Sequence, residues 1–324
     1  MKLPLAAATA LIALAAVCAS PAVAAAPEAP TVELKPGSIE RGADIAGPHV
    51  EGSTVVDGSL RITLDSPHVS LLGTSGKAYV VLVSEKDGSA PKVLRVRRDD
   101  GYRVLTRGQD SWDVVLSDDG DHLLSTPSYS AHRTVVRVLD ATTGDPVQER
   151  TFPGSATVLS ADGGRAVLGS WGPDRTFWWD FVADDTRRIS NRPGYAADID
   201  ADRVASYTGD PYDGGCSLVT DLGPSPQKLS RSCDERVTAF SPDGLRMATI
   251  HILSDGLGPN AVNVRRTHHG ALLARYTAEW FGAITWETSS ILLLDTNGRA
   301  KAATIRCEVA SCERASDLKP VPRY

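Results

Sequence analysis

Asp198, Asp200 and Asp202 alternate along the chain like the first carboxylates of a calcium loop. Carboxylates so spaced can wrap a hard cation. The sixth place of that loop, however, is Arg203 where glycine is needed, and the twelfth is Gly209 where a bidentate glutamate is needed. The segment reads better as a polar turn. His268 and His269 offer imidazoles for a metal or a general base. Their place in the repeat described below makes them the tip of a solvated turn. Gly169-Ser170-Trp171-Gly172 approaches a nucleophile elbow, but its spacing is wrong and no helical pattern follows. A glycine-rich phosphate loop is absent. A glycosidase needs two facing carboxylates, and 40 acidic residues single out no pair. These residues therefore assign no catalytic group, metal ligand or cofactor.

Aromatic side chains are the more promising chemistry. Trp171, Trp178, Trp179 and Phe181 form the densest group, and Trp280, Phe281 and Trp286 form a second. Exposed rings can stack on a sugar or anchor a protein partner. Phe177 to Phe181 reads as a strand with one core face, so one of Trp178 and Trp179 is expected inside and the other outside. Trp112, Trp171, Tyr195 and Trp280 fall where loops join inner strands and successive repeats, and they are the ligand-face candidates.

The elements that must carry these residues come from a repeat. Ser117-Asp118-Asp119-Gly120, Ser160-Ala161-Asp162-Gly163 and Ser241-Pro242-Asp243-Gly244 each follow a short apolar run and precede another. Asp200-Ala201-Asp202 is a degenerate copy between them, and weaker copies stand at Ser75-Gly76 and at Glu287 to Ser290. Asp-Gly favours a tight turn, because glycine accepts positive φ and Asp bonds its own backbone. A second strand–turn–strand follows in Val96–Val104, Val138–Val147 and Val264–Leu273. Each unit is thus four antiparallel strands in about forty residues, and stacked sheets of that period build a β-propeller. Six units run from Val69 to Leu318, and the hairpin around Asp57-Gly58 supplies a seventh. The fold class is all-β: a propeller of about seven four-stranded blades, with six as the alternative. It spans 43–324, after a Pro/Ala-rich linker over 25–42.

Phe240-Ser241-Pro242-Asp243-Gly244 and its sister turns resemble the repeats of TolB-type and WD-repeat-like propellers. Over most of its length the chain resembles exported propellers of high-GC bacteria. The Gly-His and Trp-Asp pairs of the WD repeat proper are missing; Trp179-Asp180 stands alone. The resemblance implies a fold and carries over no catalytic residue, because these motifs make turns.

Composition bounds the partners. The 324 residues hold 34 Lys+Arg against 40 Asp+Glu, a net charge of −6, with no basic cluster in sequence. Nucleic acid and anionic membrane surfaces demand such clusters. At 42% hydrophobic and 23% charged, the chain is not of the disordered class. Lys2 is the only charge before Glu28, Leu3 to Val17 is apolar apart from Pro4 and Thr9, and Ala22-Val23-Ala24 offers a cleavage site. This pattern predicts a signal peptide over 1–24, export, and no transmembrane segment after cleavage. Ala15-Ala16-Val17-Cys18 matches a lipoprotein box only loosely, so Cys18 is expected to leave with the signal. Cys216, Cys233, Cys307 and Cys312 then remain. An even count in an exported chain reads as two disulfides; three connectivities are open, and 216–233 and 307–312 are the nearest pairings. A zinc site lacks C-x-x-C and a histidine pair beside it.

The expected function is a secreted or envelope-associated, monomeric, non-catalytic module that presents a propeller face to a protein or glycan. The alternatives are a channel-mouth glycan hydrolase or lyase, and a lipid-anchored subunit of an envelope complex.

Overall fold

The computed structural model describes residues 28–111 and 113–321, so the expected signal peptide, Cys18 and Trp112 lie outside the described residues. Seven antiparallel sheets follow one another along the chain: blade 1 (49–63), blade 2 (68–107), blade 3 (115–153), blade 4 (155–190), blade 5 (194–232), blade 6 (235–277) and blade 7 (280–314). Blades 2 to 7 each contain a four-strand meander; blade 1 has three strands. The inner strands stand side by side around the centre. The architecture is the expected seven-bladed β-propeller.

The Ser-x-Asp-Gly motif makes the turn between the first and second strands. In blade 3, Ser117 donates its hydroxyl to Asp119 (2.6 Å), and Asp119 accepts the amide of Asp121 (3.1 Å). Ser117 also accepts the His122 amide (2.9 Å). Ser241, Asp243 and Arg246 repeat these bonds in blade 6. Gly120 holds φ +74°, and a Cβ there would meet the Thr74 carbonyl oxygen of blade 2 at 2.2 Å. The glycine thus serves both the turn and the close stacking of blades.

Blades 2 to 6 are buried on both faces. Side chains alternate along a strand, so Val80 packs toward blade 3 while Tyr79 and Val81 pack toward blade 1. Blade 4 shows the same split: Val167 and Trp178 meet Ile199 and Val204 of blade 5, while Leu168, Phe177 and Trp179 meet Phe152 of blade 3. The expectation that one of Trp178 and Trp179 is exposed is therefore corrected: they are 8% and 0% exposed. A central blade has no outer face; a neighbour covers each side.

The stretch read as a linker is in part structural. Thr31–Glu33 adds a parallel fifth strand to the outer edge of blade 6, and Leu34 is buried among residues of blades 6 and 7. Gly42 donates to the carbonyl of Arg314 (2.9 Å), and Arg314 donates to that of Glu40 (2.8 Å), on the edge of blade 7. This strap runs outside the last two blades before the chain enters blade 1. Apolar Val32 and Leu34 can bury there, whereas composition alone registers only the prolines and alanines around them.

Both cysteine pairs are disulfides, Cys216–Cys233 and Cys307–Cys312. The first joins the start of the third strand of blade 5 to the end of its fourth; the second joins the same two strands of blade 7. Each staples an outer hairpin, as the repeat implied.

Candidate functional site

Strand alternation gives the propeller two faces. One carries the blade-to-blade connections and the loops between second and third strands; it is called the linker face below. The other carries the Ser-x-Asp-Gly turns and is called the turn face.

Tyr195, Trp171 and Trp280 all emerge at the linker face. Trp171 ends the second strand of blade 4 (Arg165–Trp171), and Tyr195 lies at the start of the inner strand of blade 5 (Gly194–Asp198). Between them stands Tyr207, the last residue of the second strand of blade 5 (Arg203–Tyr207). Tyr207 stacks on Tyr195 at 4.1 Å with ring planes 20° apart, and Trp171 lies 6.3 Å from Tyr207. The three rings form a ladder across blades 4 and 5, and its outer rung, Trp171, is 37% exposed.

Hydrogen bonds fix the inner rung. The Tyr195 hydroxyl lies 2.5 Å from Ser217 Oγ and accepts the amide of Val237 of blade 6 (3.0 Å). Burial pushes the Tyr195 phenol well above its usual range, and burial likewise raises Tyr207. Both remain neutral hydroxyls at any physiological pH. Arg236 of blade 6 stands near enough for its charge to act on both rings, and it donates to the Ser254 carbonyl (3.0 Å). Exposed Tyr212 stands beside the ladder. Exposed Trp171 and Tyr212 offer apolar area beside the buried rungs, which suits a sugar ring or a partner's apolar side chain.

Trp280 starts the inner strand of blade 7, half-buried against the loop at Gly258 and away from this ladder. Trp171 and Tyr195 are thus brought together, Trp280 stands apart, and Trp112 lies outside the described residues. Sequence reasoning missed Tyr207. Its signal was available in the repeat, since Tyr207 ends the same strand of blade 5 that Trp171 ends in blade 4. A cleft of about 870 Å³ also opens beside the strap, where Lys35 pairs with Glu33 (2.8 Å) and Arg299 with Glu279 (3.2 Å). Its lining holds no aromatic side chain.

The turn face gathers carboxylates. Asp118, Asp162 and Asp198 end or follow the inner strands of blades 3, 4 and 5, and Asp200 follows in the blade 5 turn. Asp118 keeps contact with solvent as a residue. Desolvation around its carboxyl, together with the fields of Asp200, Asp198, Asp162 and Asp119, pushes its pKa up to about 6. Burial also raises Asp198. Asp119 is held low despite its desolvation by bonds from Ser117, Asp121 and Gly163. Asp198 and Asp202 make a turn rather than a cation loop: Asp198 accepts the Ala201 amide (2.8 Å) and Asp202 that of Leu222 (3.2 Å). Among the described residues, no group of three or more His, Cys, Asp or Glu is arranged to hold a metal.

Ser170 is fully buried, with its hydroxyl toward the Pro153 carbonyl, so it offers no nucleophile. The adjoining Gly169 is needed for blade stacking, since a Cβ there would sit 1.9 Å from the Gly194 carbonyl oxygen. His268 and His269 form the tip of the outer turn of blade 6. Among the described residues, no helix is long and apolar enough to cross a membrane.

No protein-family model matches this sequence. No curated protein matches it either. Solved structures do. The β-propeller domain of the Trilobed protease from Pyrococcus furiosus, reported to have an open velcro topology, superposes with TM-score 0.56 at 10% identity, over 88% of this chain and 99% of that one. A chain of the Mitotic Checkpoint Complex gives 0.56 at 14% identity, over 88% of each. The acylaminoacyl peptidase of Pyrococcus horikoshii gives 0.56 at 11% identity, over 85% of this chain and 52% of the peptidase. At these identities the likeness is one of fold: the chain shares the seven-bladed, WD-repeat-like propeller with both peptidase domains and assembly proteins.

Proposed function

We propose that this protein is an exported, non-catalytic binding module that holds a protein or glycan on its linker face. The observation that carries the reading is the Trp171–Tyr207–Tyr195 ladder, anchored by hydrogen bonds at Tyr195 and exposed to solvent at Trp171. The two disulfides support export, since such bonds persist in oxidising compartments. The test is affinity capture of the mature protein's partner from its own culture and envelope fraction, alongside Trp171→Ala and Tyr212→Ala. Both variants should fold as the parent does, and Trp171→Ala should lose the partner or its glycan. Retention by Trp171→Ala of everything the parent retains would refute the reading.

A second reading rests on the turn face. Asp118, raised to about 6 by desolvation and the fields of Asp200, Asp198 and Asp162, has the makings of a general acid. Turnover of a glycan substrate that vanishes in Asp118→Asn but survives in Trp171→Ala would establish it over the first.

A further inference from the structure

The two disulfides join corresponding strands but stand in different surroundings. Cys216 lies just before the third strand of blade 5 (Ser217–Thr220), and Cys233 just after the fourth (Lys228–Ser232). Cys216 is buried at 3% exposure, whereas Cys233 is exposed. The chain holds Cys216 in place from both sides: its amide donates to Thr208 Oγ1 (2.9 Å), and its carbonyl accepts the Thr208 amide (2.9 Å). Cys233 sits in the bend that leaves the outermost strand for blade 6. One sulfur is therefore fixed and covered, and its partner is at the rim.

A guanidinium stands on the covered sulfur. Arg231, on the fourth strand, donates from Nη2 to Cys216 Sγ (3.2 Å). Among the described residues no carboxylate pairs with it. A disulfide sulfur is neutral and accepts only weakly, whereas a thiolate carries a full charge and accepts strongly. The cation therefore favours the state in which the bond has opened and Cys216 holds the electron pair. The other bridge has no such partner. Cys307 is 1% exposed, and Cys312 is half-buried against the apolar cluster between blades 6 and 7. Arg306, next to Cys307 in sequence, is taken up by Glu287 and Glu313. Apolar surroundings disfavour a thiolate.

We propose that Cys216–Cys233 is a thiol-exchange site, with Cys233 the sulfur attacked and Cys216 the sulfur that leaves. An external thiolate forms a new S–S bond to Cys233 Sγ. The Cys216–Cys233 bond breaks, and its electron pair departs on Cys216 Sγ as a thiolate beside Arg231. The incoming thiol is oxidised to a mixed disulfide on Cys233 while Cys216 is reduced, and no other oxidant or reductant is needed. A leaving thiolate that is stabilised leaves faster. Attack by Cys216 on the mixed disulfide runs the step backwards and restores the bridge. The proposal uses neither Trp171 nor Tyr207, so its test stands whatever happens to the linker-face reading.

The folded, oxidised protein would be exposed to free cysteine, and separately to a reduced thioredoxin, then quenched with an alkylating agent and mapped by mass spectrometry. The 216–233 bridge should open while 307–312 stays closed. With free cysteine, the adduct should sit on Cys233 and the alkyl group on Cys216. Opening should slow about tenfold in Arg231→Gln, the loss of one charge-assisted hydrogen bond to the leaving sulfur, and Arg231→Lys should recover part of it. Arg231 is exposed on an edge strand, and the 307–312 bridge reports any general loosening of either variant. Opening by cysteine alone would assign the site to small thiols, by thioredoxin alone to a protein dithiol, and by both to either. Equal opening of the two bridges, an adduct on Cys216, or a parental rate in Arg231→Gln would overturn the proposal and leave the bridge as a staple.

Discussion

Between blades 3 and 4 the contact is made by rings. Phe152 lies 5.2 Å edge-on to Trp179, Trp179 lies 5.7 Å from Phe181, and all three are buried. Where blade 7 meets the segment that leads into blade 1, the chemistry is ionic. Arg306 pairs with Glu287 (2.6 Å) and Glu313 (2.9 Å), and it donates to the carbonyls of Ala43 (2.8 Å) and Asp44 (2.9 Å) on the strap. Glu287 in turn accepts the Ala46 amide (2.9 Å). Buried apolar clusters join each of the other six successive pairs of blades, but among the described residues none joins blade 7 to blade 1. Apolar burial needs no particular partner and tolerates relaxation. A buried ion pair holds only while both charges and their geometry are present. The ring is therefore closed by a polar latch and a strap, while its remaining interfaces are closed by packing.

Four perturbations would break or sharpen this contrast, beginning with the largest effect. Trp179→Ala should cost about 3–5 kcal/mol, because a fully buried indole leaves a cavity between two blades. Chemical denaturation should show it; a loss below about 1 kcal/mol would mean the aromatic interface is not the strong one. Next, Arg306→Met strands Glu287, whose side chain is only 9% exposed, and should cost about 3 kcal/mol. The double change Arg306→Met with Glu287→Leu should cost clearly less than the single one. Hydrogen exchange should locate the damage in blade 1 and the strap, leaving blades 3 and 4 protected; uniform loss of protection would remove the distinction between latch and packing.

The latch also has a sign in pH. Hydrogen bonding from Arg306 holds the Glu287 carboxyl below its ordinary 4.5. Its contribution is complete above that value and is lost as pH falls through the lower folded value. Acid unfolding should accordingly begin at blade 1, and Glu287→Gln should flatten that acid limb. Third, removal of one bridge, as Cys307→Ser with Cys312→Ser, should lower stability by about 2 kcal/mol, since it closes a short loop in an outer hairpin. Thermal melts of parent and variant would measure it. The smallest effect belongs to Asp118→Asn. A carboxyl raised to about 6 from 3.8 costs stability as pH rises through that window. The variant should be slightly more stable than the parent at pH 7.5 and indistinguishable at pH 4. A loss of stability at pH 7.5 would show that the charge is compensated on the turn face.

The blade repeat was legible because its signal is local. Ser117-Asp118-Asp119-Gly120 forms its turn from bonds within five residues, and the same bonds recur at Ser241 to Arg246. The disulfides were legible for a related reason: an outer hairpin brings neighbours in sequence together. Of the candidate site, Trp171 and Tyr195 were read at loops joining inner strands and successive repeats, and both emerge on the linker face, but their neighbour Tyr207 was not singled out. The expected exposure of one of Trp178 and Trp179 failed because alternation gives two faces without saying what covers them. Thr31 to Leu34 looked like linker because a single parallel strand against a distant edge leaves no periodic trace.

The sequence by itself thus determined the class, the period and the turns, since each is set by interactions within one hairpin. Tertiary structure alone decided how the ring closes, which rings stack, and where charge collects. Arg306 and Ala43 meet across 263 residues. Asp118, Asp162 and Asp198 belong to three different blades, and their fields meet only on the turn face. Long-range packing and summed fields depend on which surfaces meet, and local pattern does not encode that.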